Sequence, residues 1–449
     1  MKFLNRITKG NNRSVAVKKN IVGSLAVKGF SIVISLMLVP MTLGYVSSEL
    51  YGVWLTLSSM VIWLHFFDVG FTTGLKNKLA EAIALNEWER GCSLVSTTYF
   101  MMLLIFVPMF FVLEAMVPMV NWAAFLNVNE IYNDEIQSTL YVLVACFCFQ
   151  MIFNVITAVI AAFQKVALSS SFGVIGNFFS LIAIFFITKF CPPSLVALAC
   201  TISLMPVIVV IIASFILYSR KFKSVRPSIE MVRKDYVKDI LGLGSRFFII
   251  QIQFVVMTQM TNFLISNVSG PNEVTSYNIA YKYVGIALML YNIVLTPLWP
   301  AFTDAYTRKD YIWMNRIYKK MTKFCALSSL AIVVMVAISP IAYSLWIGNR
   351  AEIPWTMTIL VAIYVIIHSW DSLQVMLING TGCVKLQTYV TLIGLIFHIP
   401  LSFLLGKKFG LGAYGVVISM TGIVLLYFAF FSTQINKILK QKAVGIWIQ

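Results

Sequence analysis

The stretch from Asn20 to Tyr45, NIVGSLAVKGFSIVISLMLVPMTLGY, is long and apolar enough to cross a bilayer. Segments of that kind recur along the whole chain, at 20–43, 51–75, 92–113, 138–163, 167–188, 195–218, 240–266, 275–303, 323–346, 355–378, 386–404 and 411–433. In lipid the backbone must satisfy its own hydrogen bonds, and an uninterrupted apolar segment does so by closing into a helix. The sequence therefore predicts an all-α polytopic membrane protein with twelve transmembrane helices. Composition agrees: hydrophobic residues are 59% and charged residues 11% of the chain, and mean hydropathy is +0.86, far outside the soluble range.

A formal charge of +17 invites a nucleic-acid reading, but the distribution argues against it. Basic residues lie in short runs between apolar segments, which is the positive-inside pattern rather than a nucleic-acid patch. Of 34 Lys and Arg, 27 fall on the side of the two termini and 4 on the other. The termini are therefore expected in the cytoplasm. The first 19 residues are basic, yet the apolar run behind them is too long for a signal-peptide core and reads as a retained span. The connection SRKFKSVRPSIEMVRKDYVKD divides the chain into a six-helix bundle over 1–218, a basic linker over 219–239, and a second six-helix bundle with its tail over 240–449. Its plainer reading is simply the largest topogenic loop. On the opposite side, 114–138 is acidic and lacks Lys and Arg. Seven cysteines, an odd number without metal-like spacing, argue against a disulfide framework or a zinc site.

Three cations sit inside apolar segments. Lys28 lies with Ser24, Ser31 and Ser35 at i, i+4, i+7 and i+11 spacing, a polar, basic stripe. Burying such a cation costs roughly 2.5–3.5 kcal/mol unless it snorkels, so the stripe should face protein or a water-filled cavity. Arg246 opens the seventh segment, with Gln251 and Gln253 nearby. In the eighth, Asn278, Lys282, Gly285, Asn292 and Thr296 share one helical face. Each cation has a plainer reading, snorkelling to headgroups; together they point to a cationic cavity. SLAVKGFSIV around Lys28 aligns with GLGSRFFIIQ around Arg246, and Gly44-x6-Tyr51 with Gly270-x6-Tyr277, as weak internal repeats.

Two histidines precede carboxylates by three residues, His65–Asp68 and His368–Asp371. At that spacing the side chains can hydrogen-bond and act as a proton relay; a purely structural pair, or an Asp at a helix end, is the alternative. His398 reads as structural. No phosphate-cradling loop, nucleophile elbow or metal-spaced set occurs, so neither an enzyme nor a bound cofactor is expected. The basic stretch IWMNRIYKKMTKF is expected to lie at the membrane surface against anionic headgroups.

The Lys-Gly-Phe of the first span, LYGVWLTLSSMVIWLHFFDVGFTTGLKNKLAEA, LTPLWPAFTDAYTRKD and LGAYGVVISM resemble the polysaccharide-export branch of the multidrug/oligosaccharidyl-lipid/polysaccharide superfamily, and within it the Wzx-type O-antigen flippases. The resemblance covers nearly the whole chain through loose patterns. It implies a MATE-like fold, with two six-helix bundles about a central cavity, in the bacterial inner membrane. It also implies an activity, which is to move an undecaprenyl-diphosphate-linked oligosaccharide from the cytoplasmic to the outer leaflet by alternating access, in lipopolysaccharide biosynthesis. Membrane lipids and the polysaccharide polymerase machinery are the implied partners. On that reading Lys28, Arg246 and Lys282 meet the diphosphate while Gln253 and Asn278 contact sugars. A MATE-type cation-coupled drug antiporter is the alternative; it wants an acid in the first half, where span one offers Lys28 instead. A glycosyl polymerase or ligase should carry a large basic outer loop, which is missing. A scaffold for glycan enzymes would need no cationic cavity.

Overall fold

The computed structural model describes residues 12–448 apart from 69, 164, 238–258, 296, 297, 299–301, 303, 304 and 307. Every regular element among them is helical. Ten helices have the length and composition to cross a membrane, and each coincides with a segment expected from hydropathy. Of the two remaining segments, the seventh falls largely outside the described residues. The second is broken into shorter elements.

That second segment is expected as one helix over 51–75, and the structure differs. Helix α2 (Ser48–Ile62) follows α1 (Asn12–Tyr45) and passes into a 3-10 turn, Trp63–Asp68. Gly70, at φ +84, then turns the chain into α3 (Phe71–Ala84), a left-handed conformation that costs glycine almost nothing. Fifteen α-helical and six 3-10 residues amount to about 35 Å of rise. Asp68 holds the break: its carboxylate accepts the Thr72 amide at 3.2 Å and the Thr72 hydroxyl at 2.6 Å, satisfying a free N–H of the first turn of α3.

The chain forms two compact units. Unit one comprises Met1–Val46 and Met60–Ile252; unit two comprises Ser47–Ser59 and Gln253–Gln449. In unit one, α4 (Trp88–Met119), α5 (Glu130–Ala162), α6 (Ala167–Phe190) and α7 (Leu195–Ser219) are the long apolar helices. α1 packs along α6, and α4 along α3 and α5. In a bilayer such packing rests on close approach rather than on water exclusion. Gly176 shows this: a Cβ there would stand 2.6 Å from Pro206 Cα. The lipid-facing side of α6 is a comb of phenylalanines, with Phe178, Phe179, Phe185 and Phe186 each 46–53% exposed.

Unit two contains α8 (Pro271–Leu295), α9 (Tyr311–Trp346), α10 (Trp355–Thr381), α11 (Lys385–Lys408) and α12 (Gly412–Leu439). α10 is its centre, packed on α8, α9 and α12. Val361, Val365, Val416 and Met420 fill one core cluster, and Leu377, Cys325, Phe431 and Met314 another. The basic stretch expected to lie along the membrane surface is instead the first third of α9, continuous with the span behind it. Asp310 caps that helix by accepting the Trp313 amide at 3.0 Å.

The first turns of α2 are stitched into unit two. Thr275 Oγ1 donates to Ser48 O at 2.7 Å and Asn262 Nδ2 to Leu55 O at 3.4 Å. Gly52 lies directly on Pro271, whose carbonyl oxygen would stand 1.8 Å from an added Cβ.

Candidate functional site

Unit two carries the more complete set of polar groups within spans. On α8, Lys282 is half-buried and donates to the Tyr51 hydroxyl of α2 at 3.4 Å. No carboxylate pairs with it among the described residues. One turn earlier Asn278 is held twice, donating to Asn262 Oδ1 and to Val274 O, each at 2.8 Å. Lys282 and Asn278 thus share a face of α8 as expected. Tyr51 and Asn262, which fix them, were not among the expected site residues. The only sequence signal was the repeat Gly44-x6-Tyr51, which marked Tyr51 without naming its partner.

Aromatic rings extend this face onto α10. Tyr277 stacks on Tyr281 with centroids 5.9 Å apart, Tyr281 leans on Tyr364 at 6.3 Å, and Tyr364 stacks on His368 at 5.6 Å with rings 6° from parallel. One turn beyond His368, Asp371 is 5% exposed and its Oδ1 accepts no hydrogen bond. The expected hydrogen bond within the pair His368–Asp371 is not formed: His368 Nδ1 has no partner either, and the imidazole stacks on Tyr364 instead. A buried carboxyl with an unpartnered oxygen is expensive in a membrane interior.

His398 is fully buried; its Nδ1 lies 3.2 Å from Ser419 Oγ and 3.4 Å from Ser402 Oγ, tying α11 to α12. Of the other pair, Asp68 is the anchor of the α3 start described above, and the His65 side chain lies outside the described residues.

In unit one Lys28 is exposed, on a helix whose spanning window is only 22% buried. It makes no ion pair among the described residues. Ser31 and Ser35 beside it are half-buried. Arg246, Gln251 and Gln253 lie outside the described residues, as does Thr296. No cluster of His, Cys, Asp and Glu suited to a metal occurs among the described residues.

The linker, expected as a basic connection, is pinned at the end of α4 by a row of small hydroxyls. Ser96 Oγ accepts the Ser228 amide at 2.9 Å and donates to Cys92 O at 2.7 Å. Thr97 Oγ1 accepts the Arg233 amide at 3.0 Å and donates to Arg233 O at 3.3 Å. Val225 is fully buried beneath it.

No family model matches the chain. Two relatives carry the name "Putative O-antigen transporter". The one from Salmonella typhi is 20% identical over 411 residues, 88% of this chain and 89% of that protein. The one from Salmonella typhimurium is 20% identical over 282 residues, 61% of this chain and 62% of that protein, so this match spans less than two thirds of that relative. Among solved structures, the inward-facing conformation of a multidrug resistance MATE family transporter of the MOP superfamily superposes with a TM-score of 0.71 at 15% identity, over 92% of this chain and 100% of that one.

Proposed function

We propose that this membrane protein, which has the fold of the MATE transporters and is similar in sequence to proteins named for O-antigen transport, is a lipid-linked oligosaccharide flippase. It takes undecaprenyl-diphosphate-linked O-antigen or a related surface repeat unit from the cytoplasmic to the outer leaflet of the bacterial inner membrane. The observation that carries this reading is Lys282, a half-buried ammonium inside a span, oriented by Tyr51 and not paired with an acid among the described residues. A cation kept unpaired in a span selects anionic cargo and repels the cationic drugs of an antiporter. Lys28 is assigned the same role in unit one, and Arg246 joins it. Asn278 and Gln253 serve the sugars. Alternating access moves the headgroup while the prenyl chain stays in lipid. The polysaccharide polymerase machinery receives the product.

Asp371 gives a second reading its support. A buried carboxyl with one unpartnered oxygen can take up and release a proton, as a cation-coupled drug antiporter requires. In the flippase the same residue, with His368 beside it, couples export to protons.

The experiment is complementation of a strain lacking this gene. Lys282→Ala and Lys28→Ala should insert normally yet lower surface glycan about tenfold or more, the effect of removing one hydrogen bond to a charged group. Lys28→Arg should keep part of it, and lipid-linked glycan should accumulate on the cytoplasmic side of the deletion strain. Drug sensitivity with intact surface glycan would sink the flippase in favour of the antiporter.

A further inference from the structure

Beneath the linker, unit one holds a partly open cavity of about 370 Å³, lined by neither Lys28 nor Lys282. Its walls are largely apolar: Phe100 and Leu103 come from α4, Phe153 from α5, and Phe215 from α7. The roof is the linker itself, from Arg226 to Ile229 with Val232. This roof is fixed in place, since the hydroxyls of Ser96 and Thr97 hold its amides at 2.9 and 3.0 Å.

Two features of the cavity, its wall and its rim, point to one occupant. Phe100, Leu103 and Phe215 are 47%, 45% and 68% exposed along the same wall, so the cavity continues into surface that only hydrocarbon would cover. Inside it, Tyr218 is 6% exposed, its ring edge-on to Tyr99 at 6.1 Å, and the two hydroxyls are buried facing each other. At the rim, Arg226 is exposed and forms no ion pair among the described residues. Between 220 and 235 the linker carries six basic residues against two acids, Glu230 and Asp235. At the same end of the unit Lys165 stands beside Lys221, and this neighbour pushes its ammonium below the usual lysine range.

We propose that this cavity binds one anionic glycerophospholipid of the cytoplasmic leaflet, with its phosphate at Arg226 and an acyl chain along Phe100, Leu103 and Phe215. A headgroup that is anionic and a tail that is apolar match the rim and the wall in turn. The leaflet follows from the charge asymmetry, which puts this end of α4 and α7 in the cytoplasm.

The test uses the full-length protein, delipidated in mild detergent, with bound lipid counted by native mass spectrometry. Phosphatidylglycerol should be retained in preference to phosphatidylcholine and to undecaprenyl phosphate. Arg226→Gln should retain it about fivefold less, the effect of one basic side chain at an anionic surface. Leu103→Trp, which fills the cavity, should abolish retention of phosphatidylglycerol. Lys323→Gln, an exposed charge in unit two, should bind as wild type. Equal retention of all three lipids, preference for undecaprenyl phosphate, or wild-type retention by Arg226→Gln would each overturn the proposal. Because Arg226 is exposed, that variant keeps the test decisive even where Leu103→Trp does not fold.

Discussion

Two residues show how differently a buried position can be used. At Gly52 the backbone is the contact: the Pro271 carbonyl oxygen occupies the space of a side chain, 1.8 Å from where a Cβ would be. Gly173 sits in a helix too, with nothing within 4 Å of its Cβ position. Alanine raises helix propensity at either site by about 1 kcal/mol, so only the clash separates them. Gly52→Ala should destabilise by about 1–3 kcal/mol through overpacking against backbone, while Gly173→Ala should be neutral or stabilising. Thermal unfolding in detergent reads both. Asp371 is the opposite case, a buried ionisable group with one unpartnered oxygen. Asp371→Asn keeps the volume and removes the ionisable group, so the melting temperature should hold or rise. Surface glycan export should fall about tenfold or more if this carboxyl couples transport. Full export by a well-expressed Asp371→Asn protein would remove Asp371 from the coupling scheme.

Among the elements, the linker departs most from its sequence-level reading. Six basic residues between 220 and 235 look like a loop placed by charge alone, yet Ser96 and Thr97 clamp its backbone to α4. At about 1 kcal/mol per hydrogen bond, replacing both residues with Ala and Val should free the strap, and trypsin should cut after Arg233 and Lys234 about tenfold faster in the folded protein. Unchanged cleavage would mean the strap is held elsewhere. The clamp was illegible because CSLVSTT reads as an ordinary polar helix start; nothing in it says that a segment 132 to 136 residues later lies on top. The same limit applied to the polar site. The spacing of Asn278 and Lys282 on one face of α8 is local and was read directly; the i, i+4 stacking of Tyr364 on His368 is equally local but was not read. The bond from Lys282 to Tyr51 joins residues 231 apart in sequence, and the stacking of Tyr281 on Tyr364 depends on which faces of α8 and α10 meet. The spans themselves were legible because lipid leaves an apolar segment one economical conformation. The break at 63–70 was not, since hydropathy is blind to a 3-10 turn and to the positive φ at Gly70.

For the molecule as a whole, the direction of transport rests on which side each loop faces, and charge asymmetry is the basis for that assignment. Its native cysteines offer a direct check. Cys146, Cys148, Cys325 and Cys383 are buried, Cys92 and Cys200 are half-buried, and Cys191 is exposed at the end of α6. With the termini in the cytoplasm, Cys191 lies outside, next to Lys189, one of the four basic residues on that face. A membrane-impermeant maleimide should therefore label intact spheroplasts at Cys191, and Cys191→Ser should remove nearly all of the signal. In that background S224C, placed on an exposed linker position, should react only after the membrane is permeabilised. The reverse result, a protected Cys191 and an S224C reached from outside, would invert the molecule. It would put the pinned linker and its cavity on the outer leaflet and require export to run against the orientation its charges encode.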